Sequence, residues 1–256
     1  MKSILILSIL LFSFANFAGS DIKNLSRNDV DLIMKEFQAS FYPTTVSGAS
    51  STGKVFGFEF GLVGGMLSAD NLKRVTSNDV SKLPHASFYL KADTLYGLGA
   101  EVTLLPLSIG DFKYKNFSAA LKWTFTDIIP AFPVNIRARV RIAKTDIDYK
   151  GNDGTIDYTG SIDNKSSGFD LTVSKKFVFI EPYLGLGYVT SKADFFANGS
   201  NNVFNFQASD SVTGIKNSGV HYFGGAHLGL GFLKLGVEYS RLFDQNRYLA
   251  KLGFGI

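Results

Sequence analysis

Three arginines at alternate positions, Arg137, Arg139 and Arg141, are the strongest chemical statement in this sequence. On an extended chain that spacing puts all three guanidinium groups on one face. Three cations on one face need acidic partners or water, because unpaired charge in a dry interior is expensive. Glu59, Glu101, Asp170, Glu181 and Glu238 are the candidate partners, and Lys122, Lys234 and Lys251 add further cations to the same kind of face. Two readings stand side by side. One is an ion-pair network that fills a narrow interior, and the other is an anion-attracting constriction of a small pore.

Other chemistry is sparse. His221 and His227 share a face but lie six residues apart, ~20 Å at strand rise, too far for one metal ion. His85 and Ser87 share a face near a chain turn, a pairing that acyl chemistry can use. No base or oxyanion partner is identifiable for them, so no catalytic residue is assigned. Asp146, Asp148, Asp153, Asp157 and Asp163 invite comparison with a calcium loop, but the spacing is not that of an EF-hand, and a solvated acidic loop is expected. With no cysteine, disulfides and Cys-based zinc sites are excluded. No metal or cofactor is expected. The pI near 9.0 reflects a small, scattered excess of charge, so no nucleic-acid partner is expected either.

These residues must be positioned by strands. Phe56, Phe58, Phe60 and Leu62 alternate with Gly57, Glu59 and Gly61, and Val134 to Ile142 alternates apolar residues with Asn135 and the three arginines. Leu233, Leu235, Val237 and Tyr239 alternate with Lys234, Gly236 and Glu238. Period-two alternation means strands with one apolar and one polar face. Such segments fall at about 55–66, 85–92, 95–105, 112–126, 133–149, 166–177, 179–194, 219–232, 233–243 and 246–256. The connections between them alternate, broadly, between long (68–84, 150–165, 195–218) and short (near Asp93, Phe177–Val178 and Phe232–Leu233). That sorting predicts an all-β fold, an antiparallel up-and-down barrel of about ten strands with loops at one mouth and turns at the other.

Charge and aromatic placement separate a soluble barrel from a membrane barrel. The charged residues named above all share the non-apolar face. If the short turns are periplasmic, Trp123, Phe125, Phe177, Phe232 and Phe254 lie at that rim of the apolar face. Phe88, Phe117, Phe169, Tyr188, Tyr222, Tyr239 and Tyr248 then lie toward the other rim. Two aromatic girdles around a band of Leu, Val, Ala and Ile suit a bilayer. A secreted soluble barrel, with its apolar face inside, is the alternative. Ten strands enclose less than the lumen of the sixteen- to eighteen-stranded porins, which favours a filled or gated barrel over an open pore.

The N-terminal region reads differently. Lys2, the apolar stretch Ile4 to Phe17 and the small residues Ala18-Gly19-Ser20 predict a signal peptide over 1–20. Its loss removes one lysine and no acid, taking the net charge from +4 to +3. Residues 21–53 form an N-terminal helix and linker ahead of a barrel over 54–256. Ser26-Arg27-Asn28-Asp29 fits a capping box, and Val30, Ile33, Met34, Phe37 and Phe41 lie on one face at helical spacing. A short amphipathic helix of about 26–41 follows, ended by Pro43, with Ser47–Gly53 a flexible linker. The helix either plugs the lumen or docks at the rim or membrane interface. Lumen-face glycines, among them Gly185, Gly187, Gly225, Gly236 and Gly253, leave room for a plug or relieve crowding where strands coil.

From Lys54 to Ile256 the chain resembles bacterial outer-membrane β-barrel proteins, and is most similar to small barrels of uncharacterised function. The alternating segments, the girdles and the final strand Lys251-Leu252-Gly253-Phe254-Gly255-Ile256 carry the resemblance. Barrels of this kind usually end in an aromatic residue; here Ile256 is last and Phe254 stands two before it. The resemblance implies Sec export, the outer membrane of a Gram-negative bacterium, contact with outer-membrane lipids, and insertion by the barrel-assembly machinery. It names no oligomeric state. A structural barrel or a small gated or plugged conduit for small solutes or hydrophobic molecules is the implied function. The alternative is a lipid-modifying enzyme, since lipid A deacylases and palmitoyltransferases resemble this chain in pairing a rim His with Ser.

Overall fold

The computed structural model describes residues 27–53, 55–75, 81–129, 131–152, 157–198 and 209–256. The expected signal peptide and Asp153 lie outside the described residues. Ten strands close into one barrel: β1 (Phe56–Ser68), β2 (Lys82–Thr94), β3 (Leu98–Ile109), β4 (Phe112–Thr124), β5 (Asn135–Asn152), β6 (Asp157–Ser174), β7 (Ile180–Asn198), β8 (Ser209–Leu230), β9 (Leu233–Leu242) and β10 (Gln245–Gly255). Every neighbouring pair is antiparallel, and β1 closes on β10 with Phe60 opposite Phe254. Closure leaves no unpaired edge, which a sheet in lipid requires.

The alternation decides the faces. Val140 and Ile142 are 57% and 64% exposed, whereas Arg139 and Arg141 between and beside them are 4% and 3% exposed. Leu121, Leu171, Leu184, Leu186 and Val237 continue the exposed apolar band around the wall. The aromatic residues of both expected girdles point outward from it, with Phe125 half-buried against Trp123 at a centroid separation of 5.8 Å. A charged interior inside an apolar belt is the inverse of a soluble barrel, and it makes this a transmembrane β-barrel.

The strands outrun their expected ends. The segments read as long loops over 150–165 and 195–218 are largely ladder: β5 runs to Asn152, β6 starts at Asp157, β7 runs to Asn198 and β8 starts at Ser209. The Asp- and Gly-rich composition pointed to loop, but cross-strand pairing overrides such local preference. Likewise 106–111 shrinks to a turn at Gly110-Asp111, and Asp93 belongs to β2 rather than to a turn, which lies at Leu95–Gly97. The mouths therefore differ less in loop length than in how far β5 to β8 project beyond the belt. We call the end at which Gly110-Asp111 joins β3 to β4 and Phe243-Asp244 joins β9 to β10 the loop mouth, and the opposite end the turn mouth.

Among the described residues, two α-helices complete the fold. Helix α1 (Arg27–Phe41) lies inside the wall in the half nearer the loop mouth. Its stripe of Val30, Ile33, Met34, Phe37 and Phe41 packs on Tyr114, Ile147, Val189, Ala193, Ile215 and Leu242 of the strands. Burial of each such side chain stabilises by about 1.5–3 kcal/mol, more than a single helix of this length gains from propensity. Helix α2 (Asp70–Val75) covers the mouth between β1 and β2. The Glu36 carboxylate accepts from the backbone N–H groups of Asn71 (2.7 Å) and Leu72 (2.9 Å), capping α2 from inside the barrel. Burial raises the Glu36 carboxyl above its ordinary value, and these hydrogen bonds act in the opposite sense.

Candidate functional site

The lumen is the only part of the wall where opposite charges are concentrated out of water among the described residues, and register explains how. Lys91 on β2 lies directly across from Glu59 on β1 and from Glu101 on β3. Arg139 on β5 lies directly across from Asp170 on β6 and from Lys122 on β4. Adjacent Lys122 and Arg139 repel, and the Glu101 carboxylate sits among them and Arg141, at 3.6, 3.1 and 2.6 Å respectively. Asp170 holds Arg139 at 2.9 Å and Asp93 holds Lys122 at 3.0 Å. A second cluster lies alongside. Glu59 takes Lys91 and Lys251, each at 2.9 Å, and the Tyr89 hydroxyl donates to it at 2.6 Å.

The expected arginine partners divide up. Glu101 and Asp170 do pair with the column, while Glu59 serves the two lysines instead. Glu238 accepts from Tyr183 (2.9 Å) and Thr44 (3.2 Å), and Glu181 from the Ser50 backbone N–H (2.9 Å) and hydroxyl (2.6 Å). Lys234 is outside the network: its Nζ donates to the Gly231 carbonyl at 2.6 Å, at the turn-mouth rim. Sequence reasoning missed Tyr89, Lys91 and Asp93 as lumen residues. The signal was present in β2, where Phe88, Leu90 and Ala92 alternate with Tyr89, Lys91 and Asp93.

Part of the remaining polar demand is met by the chain's own N-terminal segment. Four consecutive carbonyls at and beyond the end of α1 each meet a barrel side chain. Ser40 meets His85 Nδ1 (2.7 Å), Phe41 meets Asn116 (3.0 Å), Tyr42 meets Arg247 (2.7 Å), and Pro43 meets Arg141. A helix C-terminus leaves its last carbonyls unpaired and carries partial negative charge, so arginines are suited to that position. Residues 42–53 then run down the lumen toward the turn mouth. Thr45 donates to Glu101 (3.1 Å), Arg137 to the carbonyls of Gly48 (2.6 Å) and Ser47 (3.2 Å), Thr124 to that of Ala49 (2.6 Å), and the Thr52 N–H to Asp93 (2.9 Å). Expected as a flexible linker, Ser47–Ala49 is buried and hydrogen-bonded on several sides.

Three glycines make room for this segment, and at one of them, Gly57, a Cβ would meet the backbone of Thr52 and Gly53. A Cβ at Gly168 would collide with the Tyr42 hydroxyl, and one at Gly236 would crowd Val46. Gly185 and Gly253 serve the wall itself, their space being taken by the rings of Phe223 and Tyr89. The histidines are absorbed into the packing. His221 stacks with Phe223 at 4.9 Å and meets Tyr42 edge-on at 5.7 Å, and His227 approaches Glu181 at 3.7 Å. His85 and Ser87 are buried on the lumen side beneath the N-terminal segment, away from the bilayer face where a lipid substrate would arrive. Among the described residues, no group of three or more His, Asp or Glu side chains could hold a metal ion.

Comparison with solved structures finds other barrels. The translocator domain of the autotransporter NalP from Neisseria meningitidis is 10% identical over 78% of this chain and 87% of its own, with a TM-score of 0.48. Ail, the attachment invasion locus protein of Yersinia pestis, is 10% identical over 80% of this chain and 100% of its own, with a TM-score of 0.35. The toluene transporter TodX of P. putida is 10% identical over 91% of this chain and 72% of its own, with a TM-score of 0.36. No curated protein matches the sequence. The model of one protein family matches residues 15–256, nearly the whole chain, and the protein belongs to that family, a family of unknown function (DUF6588).

Proposed function

We propose that this protein is an outer-membrane barrel kept closed by its own N-terminal segment, a conduit for small solutes only when that segment moves. The observation that carries the reading is the mid-lumen junction in which Thr45 of the segment and Arg139 and Arg141 of the wall share one Glu101 carboxylate. Backbone fills the bore at the level where a pore would have its constriction. The loop mouth is read as the outer face because β5 to β8 project there beyond the belt, as the longer, extracellular side of such barrels does. The wall arginines are consumed by ion pairs and by carbonyls of the segment, so they offer little to a passing anion while the segment is in place.

Conductance across a planar bilayer tests this. The full chain, refolded and checked by its gel shift on heating, should show no steady conductance. A chain lacking residues 21–53, passing the same folding check, should conduct steadily and favour anions, since Arg137, Arg141 and Arg247 lose their carbonyl partners. Steady conductance by the full chain would overturn the proposal. So would silence from the shortened chain once its gel shift shows it folded.

A further inference from the structure

The outer wall carries an ordered array that the lumen does not explain. Lys144 of β5 lies opposite Lys165 of β6, Lys165 opposite Lys192 of β7, and Lys192 opposite Lys216 of β8. All four point outward and are exposed. At ~4.8 Å between strands the row is roughly 14 Å long. Like charges directly opposite one another destabilise a sheet, and here three such pairs follow in succession.

The position of the row is as informative as its charge. Lys144 is the first outward residue beyond apolar Ile142, while Lys165, Lys192 and Lys216 are the second beyond Phe169, Tyr188 and Val220. The row therefore stands just past the aromatic edge of the belt, at the level of lipid headgroups. A row of Asp146, Asp163 and Asp194 runs parallel to it, one outward position further from the belt. It neutralises only one end. Lys144 reaches Asp146 at 2.8 Å and Asp163 at 3.4 Å, and Lys165 reaches Asp163 at 4.0 Å. Asp194 instead accepts the Gly214 N–H at 2.7 Å. Among the described residues, no carboxylate pairs with Lys192 or Lys216.

We propose that Lys165, Lys192 and Lys216, helped by Lys144, bind the phosphate groups of lipid headgroups in the leaflet at the loop mouth. In an outer membrane that lipid is a phosphorylated glycolipid of the lipid A type. The site rests on the reading that the loop mouth faces outward, and it is independent of whether the lumen opens. A phosphate carries the charge that Lys192 and Lys216 lack, and flexible lysine side chains ~4.8 Å apart on adjacent strands can converge on one phosphate group. The repulsion built into the row is relieved when the lipid is bound, so the lipid stabilises this side of the barrel.

The test is native mass spectrometry of the full chain, with bisphosphorylated lipid A and its dephosphorylated form offered in turn. Phosphorylated lipid A should be retained and the dephosphorylated form much less so. The triple variant Lys165→Gln/Lys192→Gln/Lys216→Gln should bind about fivefold more weakly per lysine, on the order of a hundredfold in all. A control, Lys175→Gln/Lys176→Gln at the turn mouth, should bind as the unaltered protein does. Equal retention of both lipids, an unaffected triple variant, or an equal loss in the control would each overturn the proposal. Tighter binding of a heparin oligosaccharide than of lipid A, lost in the same triple variant, would also overturn it in favour of a soluble polyanion. Failure of the membrane-barrel reading shows separately, as loss of the gel shift in all of these proteins.

Discussion

Arg137 donates from Nη1 to the backbone carbonyl of Gly48 at 2.6 Å, joining strand β5 to the segment that fills the barrel across 89 positions of sequence. The wall and its filling are thus one hydrogen-bonded unit. Removal of either partner leaves buried polar groups without a match, which costs ~1–3 kcal/mol per group.

Arg137→Met should therefore lower stability by about 2–3 kcal/mol while leaving the barrel inserted, because the carbonyls of Ser47 and Gly48 and the Thr172 hydroxyl lose a donor. Denaturant unfolding in lipid, followed by the fluorescence of the single tryptophan, Trp123, reads the change. Flickering conductance should accompany it. A variant as stable and as silent as the unaltered protein would contradict the tie.

Glu101→Gln should cost more, about 3–5 kcal/mol, since it leaves Lys122, Arg139 and Arg141 with one shared anion fewer in a buried cluster. Glu181→Gln is the comparison, because Glu181 is held mainly by neutral donors of Ser50 and Ser174. Equal losses in the same unfolding measurement would show that the ion pairs around Glu101 have no special weight.

The faces can be tested by exchange of character at adjacent positions. Val140→Arg places a cation in the lipid belt and should cost ~2–4 kcal/mol and impair insertion. Arg139→Leu should insert and shift on gels, with a lower midpoint because Asp170 loses its partner. Normal folding of the first together with failure of the second would mean that the apolar face is inside.

Asn28 and Asp111 lie at the loop mouth, and Val178 at the turn mouth, 92% exposed. Single cysteines at these positions in the cysteine-free chain should label with an impermeant maleimide in two groups. Asn28→Cys and Asp111→Cys react from the same side of the membrane, and Val178→Cys from the other. Labelling of Asn28→Cys together with Val178→Cys would mean that the segment enters from the turn mouth.

The amino-acid order by itself determined the ten strands, their alternation and the belt, because a two-residue period is a local property that any barrel must honour. It determined the apolar stripe of α1 for the same reason, at helical period. It also marked the arginine column as needing partners. Which partners those are was a tertiary matter. Lys122 faces Arg139 only because β4 and β5 pair in one register, and Glu101 reaches both because β3, β4 and β5 lie side by side in a sheet curved around the lumen. Residues 47–53 are small and polar and look like a linker, and nothing local says that the carbonyls of Ser47 and Gly48 answer Arg137. The lysine row is invisible for the same physical reason. Lys144, Lys165, Lys192 and Lys216 are scattered along 73 residues, and only the pairing of four strands brings them side by side.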